Sequence, residues 1–173
     1  FEKSKSLRNL CFGKKDRFNH EDIGWNYRMT NLQASLGVSQ LKRIKSIVHK
    51  RHLVGKEYFQ RLKYNKNIYI PETSRNYAKN IYWVIAFVIT NKNLNIDAKK
   101  MMKKLITYGI QTRPFFWPMH KQKIFKEKYK INTSGNYKNS EYISKYGLYL
   151  PSSLDIKSNQ IKFICDKVNS ILK

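Results

Sequence analysis

The sequence predicts a small α+β lobe with a mostly antiparallel sheet, entered by a long helix. Three observations carry that expectation. Ile81, Trp83, Ile85, Phe87 and Ile89 alternate along residues 80–90, which is the period of a strand. Leu32, Leu36, Leu41, Ile44, Ile47 and Val48 recur at helical spacing after Thr30, and Ile156, Ile161, Ile164, Val168 and Ile171 do so near the end. The 173 residues suffice for one ordinary domain and an appendage, and 41% of them are hydrophobic, enough to offset the chain entropy lost on folding.

Taken in order, residues 1–28 interleave charge, aromatics and the Gly13 and Gly24 breaks, and read as loop with one short helix. Thr30 or Asn31 can cap the next helix, which is expected to continue to about Leu62 and to act as a strut between two lobes. A short edge strand over 68–71 precedes the main strand over 80–90. Asp97 is placed to cap a helix reaching Tyr108, with Met101, Met102, Leu105 and Ile106 inward, and Gly109 stops it. A strand over 110–116 follows, ending at Pro118. Residues 121–141 are polar and surface-like, 142–150 form one short element before Pro151, and 155–172 close the chain as an amphipathic helix.

The chain carries 35 Lys and Arg against 11 Asp and Glu, a formal charge of +24. Such a balance favours an anionic partner, but the excess runs from Lys3 to Lys173 without a dense block, and a lysine-biased proteome gives the same pattern. Cys11 and Cys165 form no short-spaced pair, so no zinc knuckle or redox motif is present, and a cytoplasmic setting fits. The longest apolar run, 81–90, has the length of a strand and not of a membrane helix. The chain opens at Phe1 without an initiator Met or signal-peptide pattern, so the expectation is a start inside something larger. His49 and His52 stand three apart, but no acid or cysteine accompanies them, and no metal site is assigned.

Two segments are richer in chemistry. In the first, from Gly24 to Ala34, a glycine turn presents Asn26, Tyr27 and Arg28 ahead of a helix. An amide and a guanidinium suit an anion, or else Asn26 and Arg28 satisfy turn carbonyls while Trp25 and Tyr27 pack. In the second, from Gly109 to His120, Phe115, Phe116 and Trp117 are consecutive, and a strand alternates its faces, so the three cannot all be core. A ring at the surface can stack on a base or sugar with His120 near an oxygen, or the aromatics form an edge packed on the long helix.

These segments, together with Leu7-Arg8-Asn9, the stretch from His20 to Gly24, Leu36-Gly37, Gln40-Leu41 and the stretch from Gly147 to Ser152, resemble the sugar-nucleotide aminotransferases of the DegT/DnrJ family, in order and spacing over nearly the whole chain. The resemblance implies the C-terminal part of an aspartate-aminotransferase-like fold: residues 1–30 as the tail of the large lobe, 31–62 as the long linking helix, and 63–173 as the small lobe. It implies pyridoxal 5'-phosphate as cofactor, and a homodimer in which Asn26 reaches the cofactor phosphate of the neighbouring subunit, with Arg28 near the phosphate or substrate. No catalytic residue is assigned, because the family's Schiff-base lysine belongs to a Gly-rich context upstream of Phe1. This chain alone is therefore expected to be inactive.

The implied reaction passes an amino group, usually from glutamate, to the 4-keto carbon of a nucleotide-linked deoxysugar for surface-polysaccharide synthesis. Arg113, Phe116, Trp117 and His120 are the implied substrate contacts. GDP-4-keto-6-deoxymannose comes first and a dTDP or UDP sugar second. Trp25 and Ser35 depart mildly from the family's usual Tyr and Ala. Two alternatives are a basic module for nucleic acid or another polyanion and a catalytically dead relative. The spread of Lys and Arg along the whole chain weighs against nucleic acid, and no membrane partner is expected.

Overall fold

The computed structural model describes residues 1–13 and 18–173, so part of the irregular N-terminal segment lies outside the described residues. The chain forms two compact units, Phe1–Lys45 and Ser46–Lys173.

In the first unit, helix α1 (Glu2–Arg8) is followed by chain that folds back along it. The backbone N–H groups of Trp25 and Tyr27 donate to the carbonyls of Leu7 and Arg8, and Leu10 N–H donates to Trp25. Gly24 is required there, since a Cβ would lie 2.6 Å from the Cys11 nitrogen and 2.7 Å from the Leu10 carbonyl carbon. Helix α2 (Asn31–Lys42) begins as expected at Thr30, whose hydroxyl accepts from Gln33 N–H while the Gln33 side chain accepts from Thr30 N–H. None of its residues is buried, and Leu32, Leu36 and Leu41 are all exposed.

The expected long helix is interrupted. Arg43 takes φ −105° and ψ 3°, and helix α3 (Ile44–Leu62) starts immediately after it. Helical spacing of apolar residues persists on both sides of such a break, so periodicity alone does not reveal it.

The second unit is built on a four-stranded sheet: β1 (Ile68–Tyr69), β4 (Ile85–Ile89), β6 (Gly147–Leu150) and β5 (Arg113–Pro114) lie side by side in that order, every pair antiparallel. Strands β2 (Ser74–Arg75) and β3 (Ala78–Lys79) make a separate hairpin. On one face of the sheet Ile85 pairs with Leu150 and Phe87 with Leu148. These residues join Val54, Tyr58 and Leu62 of α3, Met101 and Leu105 of α4 (Ala98–Ile106), and Ile161, Ile164 and Val168 of α7 (Ser158–Ile171) in one core. Asp97 caps α4 through Lys100 N–H at 2.8 Å. Gly109, at φ 73°, ends that helix with Ile110 N–H bonded to Leu105 and Gly109 N–H to Ile106.

Five expectations are revised. The main strand begins at Ile85 and not at Asn80, because the Asn80 side chain accepts from Tyr82 N–H and turns Tyr82 to φ 52°. Ile106 is exposed and Met102 half-buried, since the buried stripe of α4 is only wide enough for Ala98, Met101 and Leu105. The strand over 110–116 shrinks to Arg113–Pro114, and the single element over 142–150 is a helix, α6 (Lys138–Tyr146), followed by β6. Residues 119–127 contain a 3-10 turn, Met119–Lys121, and the short helix α5 (Lys123–Glu127).

The Tyr82 ring lies flat against Gly55, where a Cβ would come 2.2 Å from the ring. Gly to Ala inside a helix ordinarily stabilises by about 1 kcal/mol. Gly55→Ala should instead destabilise by about 1–3 kcal/mol through overpacking, read as a lower midpoint of urea unfolding.

Candidate functional site

In the first unit, Asn26 and Arg28 are brought together. The Arg28 Nε–H donates to the Asn26 side-chain oxygen at 3.1 Å, and Asn9 pairs with Asn26 as an isolated bridge. This contact occupies the acceptor of Asn26 and points the amide chemistry one way: its NH2 group and the two terminal nitrogens of Arg28 remain as donors. No ion pair engages Arg28 among the described residues. Trp25 and Tyr27 stack on each other, 6.3 Å between centroids and 8° between planes, and both remain exposed. An exposed set of donors without a carboxylate suits a phosphate.

In the second unit, the four residues proposed for substrate do not form one cluster. Arg113 and Phe116 line an open groove of about 570 Å³ with Trp83, Gln111, Tyr149 and Ser152. Phe116 stacks on Trp83 at 6.5 Å and 20°, and meets Tyr149 edge-on at 6.0 Å. Burial pushes the Tyr149 phenol up, and the Phe116 backbone pulls it part of the way back. The floor of the groove is anchored to α3, because Tyr58 donates to the Pro151 carbonyl at 2.8 Å and Arg51 to that of Ser152 at 2.7 Å. A flat ligand thus meets three rings, a guanidinium and an amide on a rigid base.

Trp117 lines a different hollow, of about 480 Å³, with Lys99, Lys121, Glu141 and Lys145, and its indole N–H donates to the Lys121 carbonyl at 3.1 Å. His120 has a protein partner: its Nε2 lies 3.0 Å from Glu141 of α6, and its ring stacks on Tyr137 at 4.3 Å. Lys121 pairs with the other carboxylate oxygen of Glu141 at 3.0 Å. Trp83, Gln111, Tyr149 and Ser152 were not singled out from the sequence as groove residues. The Asn80 turn, which frees Trp83 from the strand, is the signal that points to it.

The chain belongs to the DegT/DnrJ/EryC1/StrS aminotransferase family, whose model matches residues 1–169. It is 27% identical to the GDP-perosamine synthase of Vibrio cholerae over 172 residues, which cover 98% of this chain and 44% of that protein. It is also 25% identical to the GDP-perosamine synthase of Escherichia coli O157:H7, covering 87% of this chain and 38% of that one. The structure of Helicobacter pylori PseC, an aminotransferase involved in the biosynthesis of pseudoaminic acid, superposes with a TM-score of 0.85 at 21% identity, over 99% of this chain and 45% of its own. The chain therefore has a partial aminotransferase-like fold and spans less than half the length of these relatives. No helix among the described residues is long and apolar enough to cross a membrane.

The hydrogen bonds from His120 and then Lys121 hold the Glu141 carboxyl below its usual 4.5. A depressed carboxyl stabilises the fold above that value, and the contribution is lost as pH falls through the lowered one. Titration of the Glu141 side-chain carbon by NMR should give a midpoint below 4.5, and His120→Gln should move it upward.

Proposed function

We propose that this chain is the C-terminal part of a pyridoxal-phosphate-dependent aminotransferase that delivers an amino group to the 4-keto carbon of a nucleotide-linked deoxysugar. Residues 1–30 are then the tail of the cofactor-binding lobe, 31–62 the link and 63–173 the small lobe. The observation that carries this reading is the similarity to a GDP-perosamine synthase along 98% of the chain. It favours GDP-4-keto-6-deoxymannose as acceptor, glutamate as donor and surface polysaccharide as the destination.

The donor set of Asn26 and Arg28 fits a phosphate, and these two residues would hold the phosphate of the cofactor in a neighbouring subunit of a homodimer. When bound, pyridoxal phosphate supplies the electron sink that amino transfer requires. The chain's own part is to bind and orient. Arg113 offers a fork to a phosphate or sugar oxygen, and Phe116 offers a flat face to a ring. Trp117 and His120 act at one remove in this reading: His120, tied to Glu141, holds the turn that follows the groove.

The test uses a protein carrying the whole family fold with this chain as its C-terminal part. Asn26→Ala should raise the cofactor dissociation constant roughly ten- to a hundred-fold, the scale of a hydrogen bond to a charged group. Arg113→Ala should leave cofactor affinity alone and lower amino transfer to the sugar nucleotide. In a mixed dimer pairing Asn26→Ala with a subunit that lacks the cofactor lysine, the lysine-bearing site receives the intact asparagine of its neighbour and should retain cofactor. Loss equal to that of the Asn26→Ala homodimer would refute the action across subunits.

A further inference from the structure

A further pocket in the Ser46–Lys173 unit, of about 240 Å³, shares no lining residue with the Arg113 groove. One wall is a single face of α3, where His52, Lys56 and Gln60 stand four residues apart and so stack above one another. The opposite wall comes from the hairpin segment, through Thr73, Lys79 and Asn80. The Asn80 oxygen is taken by Tyr82 N–H, which leaves its NH2 as a donor. No carboxylate lines the pocket among the described residues. The nearest acid in sequence, Glu72, is paired with Arg75 at 3.1 Å, and Glu57 of α3 with Arg61 at 2.9 Å.

An independent feature is Tyr82, which also lines the pocket. It is 6% exposed, and its hydroxyl is buried without a hydrogen-bond partner. Burial pushes the Tyr82 phenol pKa up and the nearby Thr73 side chain pulls it part of the way back, but Thr73 is not in hydrogen-bonding geometry. A buried hydroxyl left unmatched is costly, and a ligand oxygen would satisfy it. Beside the Phe59 ring, two lysines, an imidazole, two amides and two hydroxyls line a hollow of this size, a donor set complementary to a tetrahedral oxyanion.

We propose that this pocket binds a phosphate group, as inorganic phosphate or as the phosphate of a small metabolite, at a site separate from the Arg113 groove. In a chain of charge +24 the rival is diffuse attraction of any anion. Calorimetric titration of the cofactor-loaded protein carrying the whole family fold, with this chain as its C-terminal part, against inorganic phosphate and in a second arm glucose 6-phosphate, separates the two. Saturable binding of one ligand to one site is expected. The exposed pair Lys56→Met with Lys79→Met should weaken it at least tenfold, while the control Lys103→Met with Lys104→Met on α4, which removes the same charge, should retain it. Phosphate alone binding identifies the free anion, and tighter binding of the sugar phosphate identifies a metabolite. Ligand-induced shifts of the His52 ring resonances should appear with the same affinity. Absence of saturation, equal loss in both double variants, or shifts confined to other residues overturns the proposal.

Discussion

The second unit depends on the pairing of Phe87 with Leu148 across β4 and β6. Both side chains are fully buried, and they bring together strands separated by the whole of α4 and α6. Fully burying side chains of this size is worth about 1.5–3 kcal/mol each, which makes the pair a fixed point in a unit of modest size. Helices α3, α4 and α7 all deliver residues to the core that this pair occupies. The groove inherits its geometry from the same place. Tyr149 lies between Leu148 and Leu150 on the same strand, and Arg113 reaches the groove because β5 pairs with β6 at Tyr149.

The first unit follows another rule. Its order comes from backbone hydrogen bonds between α1 and the returning chain, closed by a Gly24 that admits no side chain. Its helix α2 owes its start to a reciprocal cap and buries no side chain. Apolar residues that point to several sides of a helix are those of an element enclosed by other structure. The relatives, more than twice as long as this chain, are long enough to supply such structure.

Much of the fold was legible because local chemistry specified it. Thr30 with Gln33, Asp97 with Lys100, and Gly109 after α4 are short-range signals, and each produced the expected helix end. The alternation of Ile85, Phe87 and Ile89 likewise gave the central strand. What escaped the sequence depended on departures of backbone angle or on distant partners. The break at Arg43 leaves the apolar spacing unchanged, and Tyr82 at φ 52° is a choice that a tyrosine alone does not advertise. Asn26 and Arg28 were found together because they are two residues apart. Trp83, Phe116 and Tyr149 meet only through the sheet, and His120 finds Glu141 only once α6 has packed, so neither grouping follows from spacing along the chain.

The alternation along β6 has a further consequence. Leu148 and Leu150 are buried in the core, Leu150 also reaching the edge of the groove, while Tyr149 between them faces the groove. Residues that fill the core and a residue that lines the groove are therefore interleaved, because adjacent residues of a strand project from opposite sides. Under the proposed function, drift at position 149 retunes the ring that the groove presents to a ligand while leaving Leu148 in the interior unchanged. A lineage carrying this sheet can then vary the groove wall at position 149 by single substitutions without first acquiring compensating changes at Leu148.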